Sequence, residues 1–370
     1  MIIYYFGADQ PWINQDESSI NRRNMAILLA LSRDENINKV YNVVRCTRAL
    51  VLNKKQQKKS KNPKIENLYI APILPERGVL KSAANSFNVF LLNQLNKNAF
   101  LDVEKSVSWC YWPQGFKDYK YLRINNKLVF DTDHNIIDDI NISKQDKDKR
   151  ESVLLEAGKQ ADLILSSSRS MLDWYIRKNY NNTRLVMNGV FNSRIKNGTT
   201  SITKEIYQVT YCGTLSKWIK VEWIEQLAID QPDWQINIIG KNYKTEIAEK
   251  LKAFKNIKLL GFLQPKDVDV ILRESDVCFG LYKELSSLDV NSMKIYDYLA
   301  AGKPVVINKY HDYLDQDFKD LINSVTNYEE FKKALTEPKK LSMEAVKLFL
   351  KQSDWENRIQ PIIAELANDE

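Results

Sequence analysis

Between Ser286 and Asn308 the chain reads SSLDVNSMKIYDYLAAGKPVVIN, and four of its polar residues could do chemistry: Asp289, Ser292, Lys294 and Asp297. The spacing predicts a helix that carries the last two. Asn291 or Ser292 can accept a hydrogen bond from a free backbone N–H at its start. Met293 to Ala301 runs without Gly or Pro, with Ile295 and Leu299 one turn apart on an apolar stripe. Gly302 supplies a left-handed residue after the helix, and Pro304 forbids continuation. Val305, Val306 and Ile307 then suit a strand buried on both faces. On this helix the charges are in the less favourable order. Lys294 lies at the positive end of the macrodipole and Asp297 a turn later; the reverse is better by roughly 0.3–1 kcal/mol at an exposed site. A bound anion accounts for the lysine, since free N–H groups, the dipole and an ammonium together hold a diphosphate. Asp297 then faces a group with hydroxyls to donate, such as a ribose. The plainer alternative is a solvated surface Lys–Asp pair.

A second polar group, Asp131, Thr132, Asp133, His134 and Asn135, follows the strand-like run Leu128–Phe130. Polar residues at the C-terminal end of a strand sit where ligands bind in open α/β sheets. Asp133 and His134 are therefore candidate catalytic groups, with a purely structural histidine as the alternative. Asp131 and Asp133 have D-x-D spacing, but such triplets arise often by chance. Cys46, Cys110, Cys212 and Cys278 stand singly, without a Cys/His cluster. The expectation is no metal and no cofactor.

These residues need a scaffold, and the chain supplies two runs of alternating strands and helices. The first has strands at Ile2–Phe6, Val40–Val44, Asn67–Ala71, Ser106–Trp112 and Leu128–Phe130, and helices at Ile20–Leu31 and Ala83–Leu95. It continues through a charged loop Lys144–Arg150, a helix Glu151–Gln160, and a strand, turn, helix and strand that end at Asn188–Gly189. The polar stretch Phe191–Glu205 reads as a linker. The pattern then restarts with strands at Gln208–Cys212, Gln235–Ile239, Ile257–Leu260 and Asp276–Leu281. Helices at Val221–Ala228, Thr245–Phe254 and Pro265–Glu274 separate them. The fold class is α/β, with two doubly wound Rossmann-like domains. The expected division is 1–195, 196–345 and a terminal helix in 346–370. No G-x-G-x-x-G follows the first strand, which weighs against an NAD-binding half.

A length of 370 residues suits two domains, and 44% hydrophobic with 27% charged residues describes an ordinary globular protein. No run of about 18 apolar residues exists, so no membrane span is expected. The start MIIYYFG lacks the features of a signal peptide, and the expected location is cytoplasmic. A net charge of +7 is compatible with an anionic ligand, membrane surface or nucleic acid. No RRM, KH or helix-turn-helix signature appears, so nucleic acid is not an expected partner. The lysine-dense run Lys54–Lys64 is either a solvated loop or a contact with an anionic membrane surface, at about 1 kcal/mol per lysine.

Asp289 and Asp297 resemble the Glu-x7-Glu motif of retaining GT-B glycosyltransferases (glycosyl transferases group 1). That family's pattern x-K-x-Y-E-Y-L-A-A-G-K-P-V-V is matched by MKIYDYLAAGKPVV, with Asp for Glu at both acidic positions. ADQPWINQDESSINRRNMAILLAL, ADLILSSS, MNGV and SDWENRIQPIIAELA are similar to further family stretches, so the resemblance covers nearly the whole chain. DTDHNIIDD is similar to a D-x-x-D-D stretch of some relatives. The resemblance implies a GT-B fold, with a cleft between the domains and a C-terminal helix crossing back. It implies retaining, metal-independent transfer from a UDP- or GDP-sugar to a saccharide, lipid-linked acceptor, as in teichuronic-acid or capsular-polysaccharide transferases, at the inner face of the membrane. By resemblance Asp297 takes the ribose, Asp289 the donor sugar, and Ser292, Met293 and Lys294 the diphosphate. Gly261, Phe262 and Leu263 then lie against the base, and Tyr282 lines the same pocket. The family's G-R-L-x-x-x-K is altered here: Gly213 stays, Thr214 and Ile219 replace the Arg and Lys, and Lys217 or Lys220 are the substitutes. The alternatives are a sugar-nucleotide 2-epimerase and a non-catalytic sugar-nucleotide-binding or scaffold subunit.

Overall fold

The structure is a computed structural model that describes residues 1–7, 12, 22–45, 59–70, 106–111, 114–122, 126–132, 143–195, 205–216, 218–241, 245–283 and 291–368. Its first sheet holds β1 (Ile2–Phe6), β2 (Lys39–Arg45), β3 (Ile65–Ile70), β4 (Ser106–Tyr111), β5 (Lys127–Thr132), β6 (Leu163–Ser166) and β7 (Thr183–Leu185). The order is β3-β2-β1-β4-β5-β6-β7, and every pair is parallel. The second sheet holds β8 (Gln208–Cys212), β9 (Gln235–Ile239), β10 (Ile257–Gly261), β11 (Val277–Gly280), β12 (Val305–Asn308) and β13 (Asn323–Val325). Its order is β10-β9-β8-β11-β12-β13, again all parallel. Strands such as VCFG and VVIN are buried at every residue, as parallel strands covered on both faces must be. The two parallel sheets agree with the α/β, doubly wound fold class that the sequence predicts.

The helices are α1 (Arg23–Arg33), α2 (Gln114–Leu122), α3 (Lys144–Gln160), α4 (Arg169–Arg177), α5 (Val221–Asp230), α6 (Thr245–Lys252), α7 (Pro265–Glu274), α8 (Met293–Ala300), α9 (Leu314–Asp317), α10 (Tyr328–Thr336), α11 (Met343–Gln352) and α12 (Trp355–Asn368). Arg23 to Ser32 of α1 are all buried. A helix with no exposed face must be covered on both sides, and here the first sheet lies beneath α1 and α12 beside it. Trp355, Ile359, Ile362, Ile363 and Leu366 of α12 join the core cluster of α1 and β1. The pairs Arg33–Glu356 (2.8 Å) and Arg184–Glu365 (2.7 Å) flank that contact. The C-terminal helix thus crosses back onto the first domain.

The bend between α11 and α12 also fastens the linker. Val190 N–H donates to the Ser353 carbonyl at 3.0 Å, and Asn192 N–H to Asp354 Oδ2 at 2.8 Å. Gly189 is needed there, because a Cβ would collide with that same carbonyl.

Two expectations change. Lys144–Arg150 is not a loop but the first two turns of α3. Ser143 caps it by accepting from Asp146 N–H at 3.1 Å, and its hydroxyl donates to Asp146 Oδ2 at 2.8 Å. Capping and polar side chains suffice for helix turns that face water. The strand expected at Leu128–Phe130 is longer, and Asp131 and Thr132 complete β5 and are buried. The expected helix Ala83–Leu95 lies outside the described residues. Among those described, no helix is long and apolar enough to cross a membrane.

Candidate functional site

In a doubly wound sheet, ligands bind outside the carboxyl ends of the strands where the strand order reverses. In the second sheet that point lies between β8 and β11. β8 delivers Tyr211, Cys212 and Gly213 there; β11 delivers Gly280, Leu281 and Tyr282; α8 starts just beyond.

The start of α8 lacks the predicted cap. Ser292 occupies the cap position, but its hydroxyl lies 2.9 Å from the Tyr282 hydroxyl and makes no cap bond. Asn291 is engaged across the domains: its Oδ1 accepts from Asn188 N–H at 2.8 Å and from the Tyr296 hydroxyl at 3.0 Å. Tertiary partners outcompete the local backbone for both side chains. The N–H groups of the first turn are left without a side-chain cap.

Lys294 reaches back from this turn. Its Nζ lies 4.7 Å from the ring centre of Tyr211 and 4.5 Å from that of Tyr282. The Tyr211 hydroxyl is 3.5 Å from it. Among the described residues no carboxylate pairs with this ammonium. Burial disfavours its charge, but Tyr211 and Tyr282 outweigh that and hold its pKa above the ordinary lysine value. Burial pushes the Tyr211 phenol up to about 12, so the ring meets Lys294 as a neutral face. Gly213 leaves room for this approach: a Cβ would sit 2.8 Å from the Tyr211 hydroxyl and 3.0 Å from Lys294 Nζ, and those side-chain ends would have to move.

The surroundings are fixed by specific bonds. The Tyr298 hydroxyl accepts from Cys212 N–H at 2.8 Å, tying α8 to the end of β8. Asn308 clasps the Tyr282 backbone, accepting its N–H at 2.6 Å and donating to its carbonyl at 2.7 Å. Asp297 accepts from Arg194 Nη1 at 2.7 Å, and Nη2 of the same arginine donates to Asp269 at 2.6 Å. Burial raises the Asp297 pKa above the ordinary carboxylate value; Arg194 opposes this and Asp269 adds to it.

The remaining predicted residues are distributed as follows. Gly261 ends β10 with φ +67°, and its carbonyl accepts from Gly240 N–H at 2.7 Å. Phe262 is 52% exposed, with Lys241 Nζ 5.4 Å from its ring centre, and Leu263 is half-buried. Met293 packs its side chain against the core cluster of the first domain. Lys220 is buried with its ammonium 4.6 Å from the Trp223 ring centre. Lys283 N–H donates to the Trp218 carbonyl at 2.8 Å and so joins the loops after β8 and β11. Lys217, Asp289, Asp133 and His134 lie outside the described residues. Asp131 is fully buried and pairs with Arg23 at 2.9 Å. Among the described residues no group of His, Cys, Asp and Glu is arranged to hold a metal ion.

Sequence reasoning did not single out Tyr211, Asp269 or Arg194. Arg194 sits in a polar linker, and its partners are 75 and 103 residues away. Nothing local marks it.

Residues 220–364 match the family model described as glycosyl transferase-like. No protein of curated function matches the chain in sequence. Solved structures align along its length. Sucrose-phosphate synthase from Thermosynechococcus elongatus is 13% identical with TM-score 0.73, covering 100% of both chains. HepE of Anabaena in complex with UDP and glucose is 14% identical with TM-score 0.67, covering 99% of both. The lipopolysaccharide outer core galactosyltransferase WaaB is 11% identical with TM-score 0.61, covering 99% of both. Residues 220–364 are thus similar to the glycosyl transferase-like family, and over its whole length the chain has the fold of these solved structures, the GT-B fold.

Proposed function

We propose that this protein transfers a sugar from a UDP- or GDP-sugar to a saccharide acceptor, with retention and without a metal. One observation carries the donor reading: the Lys294 ammonium stands at an uncapped helix start, over two tyrosine faces, without a carboxylate partner among the described residues. A buried charge in that state gains most from an anionic ligand. As the sugar–oxygen bond breaks, negative charge grows on the leaving diphosphate. Lys294 and the first-turn N–H groups of α8 meet that charge in a site already organised for it. Asp297 accepts the ribose hydroxyls, and Gly261, Phe262 and Leu263 flank the base. Asp289 contacts the donor sugar, Lys217 and Lys220 add positive charge, and Asp133 and His134 face the acceptor.

The acceptor we propose is a lipid-linked, cell-surface saccharide. The name of WaaB, a lipopolysaccharide galactosyltransferase, supports that choice. The basic run Lys54–Lys64 is then a contact with an anionic membrane surface at the cytoplasmic face. Lys64 already donates to the Asp34 carbonyl at 2.7 Å, so the contact rests on the other lysines. Sedimentation with anionic vesicles at low salt tests it; a protein that stays in the supernatant speaks against it.

A thermal-shift screen with UDP-, GDP- and ADP-sugars tests the donor reading, since a ligand of the native state raises the midpoint. One nucleotide series should shift it and the others should not. The shift and the turnover should both survive EDTA. No shift with any nucleotide sugar removes the donor reading; a shift without turnover favours the non-catalytic subunit, which the replaced Arg/Lys pair at Thr214 and Ile219 would explain.

A further inference from the structure

We propose that Arg194 is the positioning residue of the ribose subsite: it ties down one oxygen of Asp297 and leaves the other to accept the ribose hydroxyls. The proposal rests on the donor reading above and adds a residue from the interdomain linker to it.

The geometry is a fork. Nη1 of Arg194 holds Asp297 Oδ1 at 2.7 Å and Nη2 holds Asp269 Oδ1 at 2.6 Å. The arginine side chain is 9% exposed, while the Asp297 side chain keeps 23% exposure. The pair is therefore not sealed, and Asp297 presents a second oxygen beyond the bond. Arg194 is itself held firmly: its turn follows Val190 and Asn192, which are bonded to Ser353 and Asp354. A guanidinium on an anchored backbone sets the rotamer of a carboxylate better than a free surface side chain can.

Charge explains why a cation is needed there. Asp297 faces Arg194 from the linker, Asp269 from α7 and Cys212 at the end of β8, and Lys294 of its own helix is among the charged neighbours of that thiol. Burial and then Asp297 push the Cys212 thiol up to about 12, so it stays neutral near pH 7. Lys294 stays charged but leans toward the tyrosines. Without Arg194, Asp297 would keep its burial and its like-charged neighbour but lose the cation that opposes them, and its carboxyl would hold a proton more readily. A protonated Asp297 loses acceptor capacity that two ribose hydroxyls require. The rival arrangement is that Arg194 occupies the place of the ribose and must leave before a nucleotide binds.

Calorimetric titration with UDP-glucose separates the two, because its diphosphate does not titrate between pH 6 and pH 8. Affinity is measured at both pH values for wild type, Arg194→Gln, Asp269→Asn and the double variant. Wild type should change by less than about threefold. Arg194→Gln should bind about tenfold more weakly at pH 6 than at pH 8, the direction expected when a carboxylate loses its cation and keeps its like-charged neighbour. Removing that neighbour in Arg194→Gln/Asp269→Asn should recover most of the loss at pH 6. Asp269→Asn alone keeps the arginine and should bind at pH 6 no more weakly than wild type, a result that stands even if Arg194→Gln does not fold. Tighter binding by Arg194→Gln at both pH values overturns the proposal in favour of the rival. An equal loss at both pH values, unrelieved by Asp269→Asn, also overturns it. Wild type that binds no UDP-glucose, after a thermal screen that finds no nucleotide sugar, overturns it together with the donor reading.

Discussion

Arg23 and Lys294 each stand in the first turn of a helix that follows a strand at the switch point of its sheet, α1 after β1 and α8 after β11. Their surroundings differ. Arg23 is 3% exposed, donates to Asp131 at 2.9 and 3.3 Å and to Asn188 at 3.3 Å, and lies 5.8 Å from the Trp355 ring centre. Lys294 has two tyrosine faces and no carboxylate partner among the described residues. A charge taken out of water must be compensated. The compensation for Arg23 lies within the chain, in residues from β5, the stretch after β7 and α12. That of Lys294 is partial, and a ligand can complete it. One cation is matched by charges of the fold itself; the other is left with two aromatic faces.

The largest expected effect follows from breaking the first. Arg23→Met removes the guanidinium that pairs with the fully buried Asp131 carboxylate at 2.9 Å, and should cost about 3–5 kcal/mol of stability. Urea unfolding measures it. The double variant Arg23→Met/Asp131→Leu should regain much of that loss, because no orphaned charge remains. A single variant as stable as wild type would remove the contrast between the two cations.

Lys294→Met is the matching test on the other side. It should leave the urea midpoint within about 1 kcal/mol of wild type, since no buried carboxylate among the described residues depends on it. Donor affinity should fall by about 1.5–3 kcal/mol, the range for a bond to a charged group, which is on the order of ten- to a hundredfold in Kd. Equal losses of stability and affinity would make Lys294 a second structural cation.

The same contrast governs what the sequence discloses. Lys294 is legible because it sits against the helix dipole, an oddity visible in MKIYD without any structure. The second sheet is legible because strands such as Gln208–Cys212 end in a glycine or a polar loop. The early turns of α3 are not legible from periodicity, for they carry no apolar stripe; their only signal is the Ser143 and Asp146 cap. The expected cap at Ser292 or Asn291 fails for the opposite reason, since Tyr282 at the end of β11 and Asn188 of the first domain take those side chains. Arg194, Asp269 and Asp297 meet only after both domains and the linker are in place. No pattern of periods or spacings encodes that meeting.

The smallest expected effect concerns how Lys294 is held. Its ammonium lies over the face of Tyr211, at 4.7 Å from the ring centre, and 3.5 Å from the hydroxyl. The second distance is long for a hydrogen bond and the first is well within cation–π range. The hydroxyl also has a weak bond of its own, to the Thr214 carbonyl at 3.3 Å. The ring face, not the hydroxyl, should therefore place the ammonium. Tyr211→Phe keeps the face and should leave UDP-glucose affinity within about twofold of wild type. Tyr211→Leu removes it and should weaken binding by about 0.5–1 kcal/mol, with Tyr282 still in place to limit the loss. The two variants share the loss of the hydroxyl and differ in the ring, so titration of both assigns the effect. If Tyr211→Phe weakens binding as much as Tyr211→Leu, the hydroxyl positions Lys294 and the ring is only its carrier.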